Sequence, residues 1–472
     1  MPAIQGRSLA SLRDLSSELI FIALVLGVPF GIATTPFVFR DGDTSWQIAA
    51  GEWIMRHAAI PRADPFSYTA AGHPWVAMEW LAELIYAAAF RSAGFAGVAT
   101  IVAAALIAVH AIIFFYLERR VSRPMVAATL VMMDLVVTPF VMARPHLLSW
   151  PLIAGWTVLL LTAAEKGRPP PLWSVLILVV WTNLHASFPI ALAIAGAIGL
   201  DALIAARWST LRQWAFFGVA SLIAVSLNAN GVAGLLQPFR TSALGMLPLI
   251  GEWHRSTPHA TPFFFAVFLL ALVVLLWSRA HIPIGRSLLL LGLAVMALAH
   301  VRHQSLFAIV AACILPPLWQ PKASPAQVPK WLLLGSLPLL AFRAVAPLNL
   351  PESEANPTAL IAAIPPQLRT QPVFNSYIFG GPLILAGIRP YVDGRAEIYG
   401  DAFVTDYVNI SSGNIAAFDR TVRRYGISWA IIRNSDSRLI RGMESSGAWH
   451  RIYGDSVGVI EVRGTPADGS RD

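Results

Sequence analysis

Runs of roughly 20 apolar residues recur through most of this sequence, and a run of that length is what crosses a bilayer core about 30 Å thick. They stand at about 19–39, 96–117, 125–142, 147–164, 172–185, 188–206, 214–230, 262–278, 287–301, 304–319 and 331–347. Eleven spans predict an α-helical polytopic membrane protein, since a helix satisfies its own backbone N–H and C=O groups where no water reaches them. Of the 472 residues, 56% are hydrophobic and only 13% charged, about half the charged share of an ordinary soluble domain. That excludes a soluble enzyme and a disordered chain. The lone cysteine, Cys313, lies inside an apolar run, so neither an intrachain disulfide nor a cysteine-based metal site can form.

The net charge of +8 would suit nucleic acid, so its location matters. Before Leu350 there are 22 basic and 13 acidic residues, net +9; from Leu350 onward there are 12 and 13, net −1. The excess belongs to the apolar part and points to membrane orientation, not to nucleic acid. The first run follows Arg7 and Arg13; it is too long for a signal-peptide core and no small-residue cleavage site follows, so it reads as a retained helix. With the N-terminus cytoplasmic, Arg119, Arg120, Arg123, Lys166, Arg168, Arg207, Arg212, Arg279, Arg286, Lys322 and Lys330 join them on short inner loops, 13 of the 22 basic residues. This is the expected inside bias of a multi-pass protein of a bacterial cytoplasmic membrane.

Two domains follow from this topology. Residues 1–349 form a transmembrane domain with a long first outer loop, 40–95, in which 44–58 and 76–91 read as interfacial helices. Residues 350–472 form a small extracytoplasmic α/β domain behind a linker at Ala346–Pro366. There the order is strand (Pro372–Ser376), helix (Ile378–Ala386), strand (Pro390–Asp393), helices near Phe403–Ile410 and Ile415–Tyr425, strand (Ser428–Arg433), helix (Arg438–Ser445) and a hairpin over His450–Val462.

Mapped on this topology, the polar clusters gather at the outer surface. The first loop opens Arg40-Asp41-Gly42-Asp43-Thr44, passes through Ile60-Pro61-Arg62-Ala63-Asp64-Pro65-Phe66-Ser67 and ends at Glu79-Trp80-Leu81-Ala82-Glu83. Other outer ends add Arg144-Pro145-His146, Asn183-Leu184-His185, Asn228-Ala229-Asn230-Gly231, Glu252-Trp253-His254-Arg255 and Arg302-His303-Gln304. A charge at membrane depth costs about 2.5–3.5 kcal/mol on insertion scales, and such residues tend to serve function. Asp41 or Asp43 can act as a general base toward an incoming hydroxyl. Arg144, His146, His185, Arg302 and His303 form a cationic wall suited to a phosphate or diphosphate. A base at one end and cations at the other is the layout for transferring a group from a lipid phosphate.

The chain resembles the polytopic bacterial members of the GT-C glycosyltransferase superfamily, near the protein O-mannosyltransferase and aminoarabinose-transferase type. The likeness is carried by Asp41-Gly42-Asp43 after the first helix, Gly51-Glu52-Trp53, the Ile60–Ser67 and Glu79–Leu81 segments, Arg144-Pro145-His146, Arg302-His303, Val373-Phe374-Asn375 and Asp393-Gly394-Arg395. It implies a polyprenyl-phosphate sugar donor, inversion at the anomeric carbon and an acid of the first outer loop as base, either Asp41 or Asp43, with Asp43 favoured. Gly42 separates the two acids, which are adjacent in the mannosyltransferase pattern. The acceptor is a lipid, a glycan or a protein.

Each residue also has a plainer reading. Asp43-Thr44 can cap the helix that follows. Asp64-Pro65 and Ile60-Pro61 read as turns. Glu79 and Glu83 share a helical face, for acceptor contact or for pairing with Arg56, Arg62 or Arg91; Glu252 and Arg62 complete the acceptor-side candidates. Asp393-Gly394-Arg395 is either a strand-end turn held by an Asp–Arg pair or a membrane-facing contact for the acceptor. Phe379-Gly380-Gly381-Pro382 opens a helix that can bind an anion. His110, Asp134 and Asp201 read as structural. No zinc-type spacing occurs, while a divalent ion held by Asp41, Asp43 or Glu252 with the donor phosphate is compatible with the residues. Two rivals to a transferase stand beside it: a transporter or flippase, and a non-catalytic binding protein, for lipid-linked saccharides.

Overall fold

The computed structural model describes residues 18–206, 208–319 and 328–464. Arg7, Arg13, Arg207 and Lys322, four of the basic residues assigned to the inner side, lie outside them. The main helices are α1 (Glu18–Ala33), α2 (Asp43–His57), α3 (Trp80–Leu117), α4 (Arg123–Val137), α5 (Pro145–Glu165), α6 (Leu176–Leu184), α7 (Pro189–Ala205), α8 (Leu211–Ser226), α9 (Gly231–Ser242), α10 (Pro262–Ser278), α11 (Ile284–Ala299), α12 (Gln304–Ile314) and α13 (Ser336–Val345). Each of the eleven apolar runs falls on helical segments. Among the described residues, four stretches combine the length and apolarity for a crossing: Trp80–Leu117, Arg123–Phe140, Pro145–Glu165 and Val301–Trp319. The pair α8 and α9 makes a fifth if counted as one bent span.

Proline and asparagine explain the shorter pieces. Pro189 and Pro262 start α7 and α10, where a missing N–H costs nothing. The run read as 214–230 ends at Ser226, because the Asn228 carboxamide accepts the Asn230 N–H at 2.9 Å and donates to Gly231 O at 3.1 Å. The chain then turns by 91° into α9, inside what reads as an outer loop. In α3, Ala93 and Gly94 leave helical geometry, Gly94 at φ 58°, and divide the helix expected near 76–91 from the span that follows.

Large apolar side chains face outward in bulk. Along α10 only Phe264 is buried, while Leu269, Val273, Leu276 and Trp277 are exposed; α8 likewise exposes Phe216, Val219, Leu222 and Ile223. An apolar girdle of this kind is lipid-facing surface, and the chain is a multi-pass membrane protein. Inside, α3 is the central post, packed on α1, α2, α5 and α13. Trp150, Trp156 and Trp181 fill the layer around it. His110 on α3 faces Asp134 on α4 at 2.7 Å, and Asp201 on α7 accepts the Gly285 and Arg286 N–H groups that open α11. These are helix-to-helix fastenings.

The C-terminal part carries one four-stranded sheet, β1 (Val373–Asn375), β2 (Trp429–Arg433), β3 (Trp449–Gly454) and β4 (Gly458–Arg463), in the order β1-β2-β4-β3. The β1–β2 pair is parallel and the other two are antiparallel. The strand expected at Pro390–Asp393 does not form. Instead the Asn375 side chain stands in for a neighbouring strand: its oxygen accepts the Tyr391 N–H at 2.8 Å and its amide donates to Val392 O at 2.8 Å. This holds the segment extended without a ladder and carries Asp393-Gly394-Arg395 toward the first loop.

Candidate active site

The first loop and the tail are locked together before any chemistry is considered. Arg395 is fully buried; it lies 2.7 Å from Asp64 Oδ1, and Nε and Nη2 donate to the two Asp393 oxygens at 2.9 and 2.7 Å. The Tyr399 hydroxyl donates to Asp393 Oδ2 at 2.6 Å. Burial alone would raise the Asp393 carboxyl, but Arg395 and Tyr399 hold it below the usual carboxylate range. The guanidinium is ringed by Trp75, Phe66 and Trp46. Asp64 also takes the turn role read from the sequence, accepting the Phe66 and Ser67 N–H groups. The Asp–Arg pair of the Asp393-Gly394-Arg395 turn is thus present, with a third member from the first loop.

Glycines let these backbones meet. A methyl at Gly42 would strike Ile378 O, one at Gly381 would strike Gly42 O, and one at Gly394 would fall on Asp43 Oδ1 with Trp46 Nε1 beside it at 2.9 Å. The Gly380-Gly381 helix start is packed closely against α2 and the Val392-Asp393 backbone. A Gly394→Ala variant is expected to lose about 1–3 kcal/mol through overpacking and to push the tail off Asp43. Thermal unfolding of the detergent-solubilised protein measures it, and an unchanged midpoint would refute the close approach.

Asp43 is the first residue of α2, and Asp41 Oδ1 accepts its N–H at 2.8 Å. Asp41, not Asp43, therefore meets the open helix end, and Thr44 spends its hydroxyl on Ala143 O. This leaves the Asp43 carboxylate free to face a cavity of ≈ 640 Å³ between the first loop, the 241–253 segment and the tail. Asp41, Glu252, Arg302, Tyr377 and Glu397 share its lining. Arg144 closes one side: Nη1 donates to Asp41 Oδ2 at 3.1 Å and to Glu252, and Nη2 lies 2.9 Å from Asp43 Oδ2. Burial, with Asp41 nearby, raises the Asp43 carboxyl to about 7 against the pull of Arg144. Burial also acts to raise Glu252, yet Arg144 and Arg302 bring it down to about 2.

Behind Arg144 a second cavity of ≈ 340 Å³ opens toward α5, α9 and α12, lined by Glu79, Arg144, His146, His185, Arg302 and His303 among apolar side chains. The two cavities share Arg144, Thr241, Glu252, Trp253 and Arg302. Arg302 stacks over Trp253 at 4.7 Å and lies 3.6 Å from Glu252. The Ser187 N–H donates to His185 Nδ1 at 3.1 Å, which leaves the proton of the neutral ring on Nε2, 3.4 Å from Glu79. Burial raises the Glu79 carboxyl to about 7. His146 meets Phe140 O at 2.8 Å.

Asp41, Asp43, Arg144, Glu252, Arg302, His146, His185, His303 and Glu79 therefore converge on one wall with a cavity on each side. Arg62 does not join them; it reaches away to Asn230 and Ala229 O. Glu83 is buried behind α2 and lines neither cavity. Glu79 pairs with His185 in place of Arg56, Arg62 or Arg91. Tyr377 and the Arg433–Asp436 pair have no sequence signal, because only the tail's fold brings them to this cavity. Among the described residues, no group of three or more His, Cys, Asp or Glu is arranged to hold a metal ion.

No protein-family model matches the chain, and no curated protein matches it in sequence. Solved structures do match its fold. The oligosaccharyltransferase of Archaeoglobus fulgidus in the apo form aligns over 97% of this chain and 75% of its own length, at TM-score 0.54 and 11% identity. The Archaeoglobus fulgidus oligosaccharyltransferase AglB, in complex with an inhibitory peptide and a dolichol-phosphate, aligns over 95% and 74%, at TM-score 0.55 and 11% identity. At that identity the likeness is one of fold alone.

Proposed function

We propose that this chain is an integral membrane glycosyltransferase, moving a sugar from a polyprenyl-phosphate donor to a lipid, glycan or protein acceptor at the extracytoplasmic face, with inversion. The observation that carries the proposal is the wall itself: Asp43 on one side and the histidines on the other, with Arg144 and Arg302 between them. The fold supports it, since a structure sharing that fold holds a dolichol-phosphate and a peptide. The eleven apolar runs are taken as eleven crossings in a bacterial cytoplasmic membrane, with the N-terminus inside and residues 350–472 outside.

In this reading the acceptor hydroxyl enters the larger cavity and gives its proton to Asp43. Its oxygen attacks the anomeric carbon from the face opposite the phosphate. The bond from that carbon to the phosphate oxygen breaks, and its electron pair leaves with the lipid phosphate. Arg302, with Arg144 behind it, stabilises the charge that develops there. The mixed apolar lining of the smaller cavity suits a headgroup whose lipid continues into the bilayer.

Membranes carrying the protein, supplied with labelled polyprenyl-phosphate sugar, are expected to release polyprenyl phosphate and to label an acceptor. A transporter would move the donor across the bilayer intact, and that outcome would sink the proposal. The pH profile gives a sharper check. A raised carboxyl is protonated below its pKa and cannot serve as base, so kcat is expected to rise about tenfold per unit up to a limb near pH 7 and then level. The groups facing Asp43 are Asp41, Arg144, Glu252 and Tyr377. A profile flat from pH 5 to 8 would assign the base elsewhere.

A further inference from the structure

Three carboxylates from two separate segments meet around one guanidinium. Asp41, Asp43 and Glu252 all turn an oxygen to Arg144. A hard divalent cation also draws carboxylate oxygens together from different segments, but here they are spread over the two terminal nitrogens of the guanidinium and are not arranged around one ion. Those acids are the ones that the sequence offers as holders of such an ion. The remaining oxygens of two of them are engaged as well: Asp41 Oδ1 accepts the Asp43 N–H at 2.8 Å, and Glu252 Oε2 faces Arg302 at 3.6 Å. An ion could take the carboxylates only by driving the guanidinium out.

The backbone gives Arg144 little room to withdraw. The Tyr86 hydroxyl donates to Arg144 O at 2.9 Å. One residue earlier, the Ala143 N–H donates to Val38 O at 2.8 Å and Ala143 O accepts from Thr44 at 2.9 Å. Arg144 is therefore stitched to the very loop that carries two of the carboxylates. The Arg302 side chain, stacked on Trp253, guards the third.

We infer that Arg144 occupies the position a divalent cation would take among Asp41, Asp43 and Glu252, so that this chain orients its base and neutralises its donor without a metal ion. The chemical consequence rests on the transfer reading above; the binding test does not. A guanidinium carries a fixed charge and a planar fork of donors. It holds Asp43 toward the acceptor cavity whatever the surrounding metal concentration. Arg144 is in this sense a positioning residue for Asp43.

The full chain in detergent is titrated with Mn²⁺, and the free ion is followed by its paramagnetic resonance signal. The wild type is expected to leave Mn²⁺ free through the micromolar range. Arg144→Ala, with the three carboxylates released, is expected to bind about one Mn²⁺ per chain, at least roughly tenfold more tightly than the wild type. Adding Asp43→Asn to that variant should weaken the binding again. One tight Mn²⁺ on the wild type, lost in Glu252→Gln, would overturn the inference; so would a folded Arg144→Ala variant that binds none. The activity arm is separate. Wild-type transfer should be unchanged by EDTA, while Arg144→Ala loses most of it and regains part with added Mn²⁺. EDTA-sensitive wild-type transfer overturns the inference. If the wild type shows no transfer from the lipid donor, the proposed function fails and the Mn²⁺ titration still decides the role of Arg144.

Discussion

Asp43→Asn should abolish most sugar transfer while leaving the lipid-phosphate donor bound, a loss of about 10²- to 10⁴-fold in kcat, the usual contribution of a positioned general base. The amide has the size of the carboxylate, but it takes up no proton. The histidines lie on the far side of Arg144 and Arg302 from Asp43, so donor affinity should stay within about threefold. Asp41→Asn makes an instructive companion. Its amide oxygen can keep the bond to the Asp43 N–H, now 2.8 Å. What it removes is one of the charges that raise Asp43, so the acidic limb of the pH profile should move below 7 while transfer persists. Single-turnover assays with labelled donor, paired with equilibrium donor binding, separate the two effects. Transfer intact in Asp43→Asn, or a Kd shifted as far as kcat, would remove Asp43 from the role of base.

The second large effect concerns stability. Arg395→Met deletes the guanidinium between Asp64 and Asp393, both fully buried at that contact. Two carboxylates then remain in an aromatic pocket with their shared cation gone, and breaking a buried pair in this way costs about 3–5 kcal/mol. The loss should appear as a lower unfolding temperature and as rapid proteolysis near Phe66 and Gly394, where the loop and tail part. Replacing all three charges together, with Asp64→Asn and Asp393→Asn added, should recover a good part of it, because the unpaired charge is the main source of the penalty. A single Arg395→Met variant as stable as the wild type would show that the loop–tail contact is held elsewhere.

Much of the helical layout can be read from the sequence because it is local. Apolar runs and proline starts locate α5, α7 and α10 within a few residues, and strand–turn patterning finds β1, β2 and the β3–β4 hairpin. Failures occur where a side chain replaces a backbone interaction. Pro390–Asp393 has the look of a strand, yet its partner is the Asn375 carboxamide, which no periodicity reports. The run at 214–230 looks continuous, but Asn228 bends it. For the site, unusual polar residues at helix ends are a real signal, because charges there are costly. That signal gathers Asp41, Asp43, Arg144, Glu252 and Arg302 as candidates. It cannot say which of them touch, and it includes Arg62 and Glu83, which do not line the cavities. Tyr377 and Trp46 look like ordinary aromatic residues until Gly394 brings the tail against α2.

The Arg395–Asp64 contact joins positions 331 residues apart. On a ribosome adding about 5–20 residues per second, the loop bearing Asp43 waits tens of seconds for the arginine that closes it in. Throughout that interval Asp43 lacks the tail that packs against it and Asp64 has no cation. A nascent or prematurely stopped chain can thus be threaded into a membrane and still be chemically silent. Completion of the polypeptide, and not insertion of its helices, is the event that joins the loop to the tail.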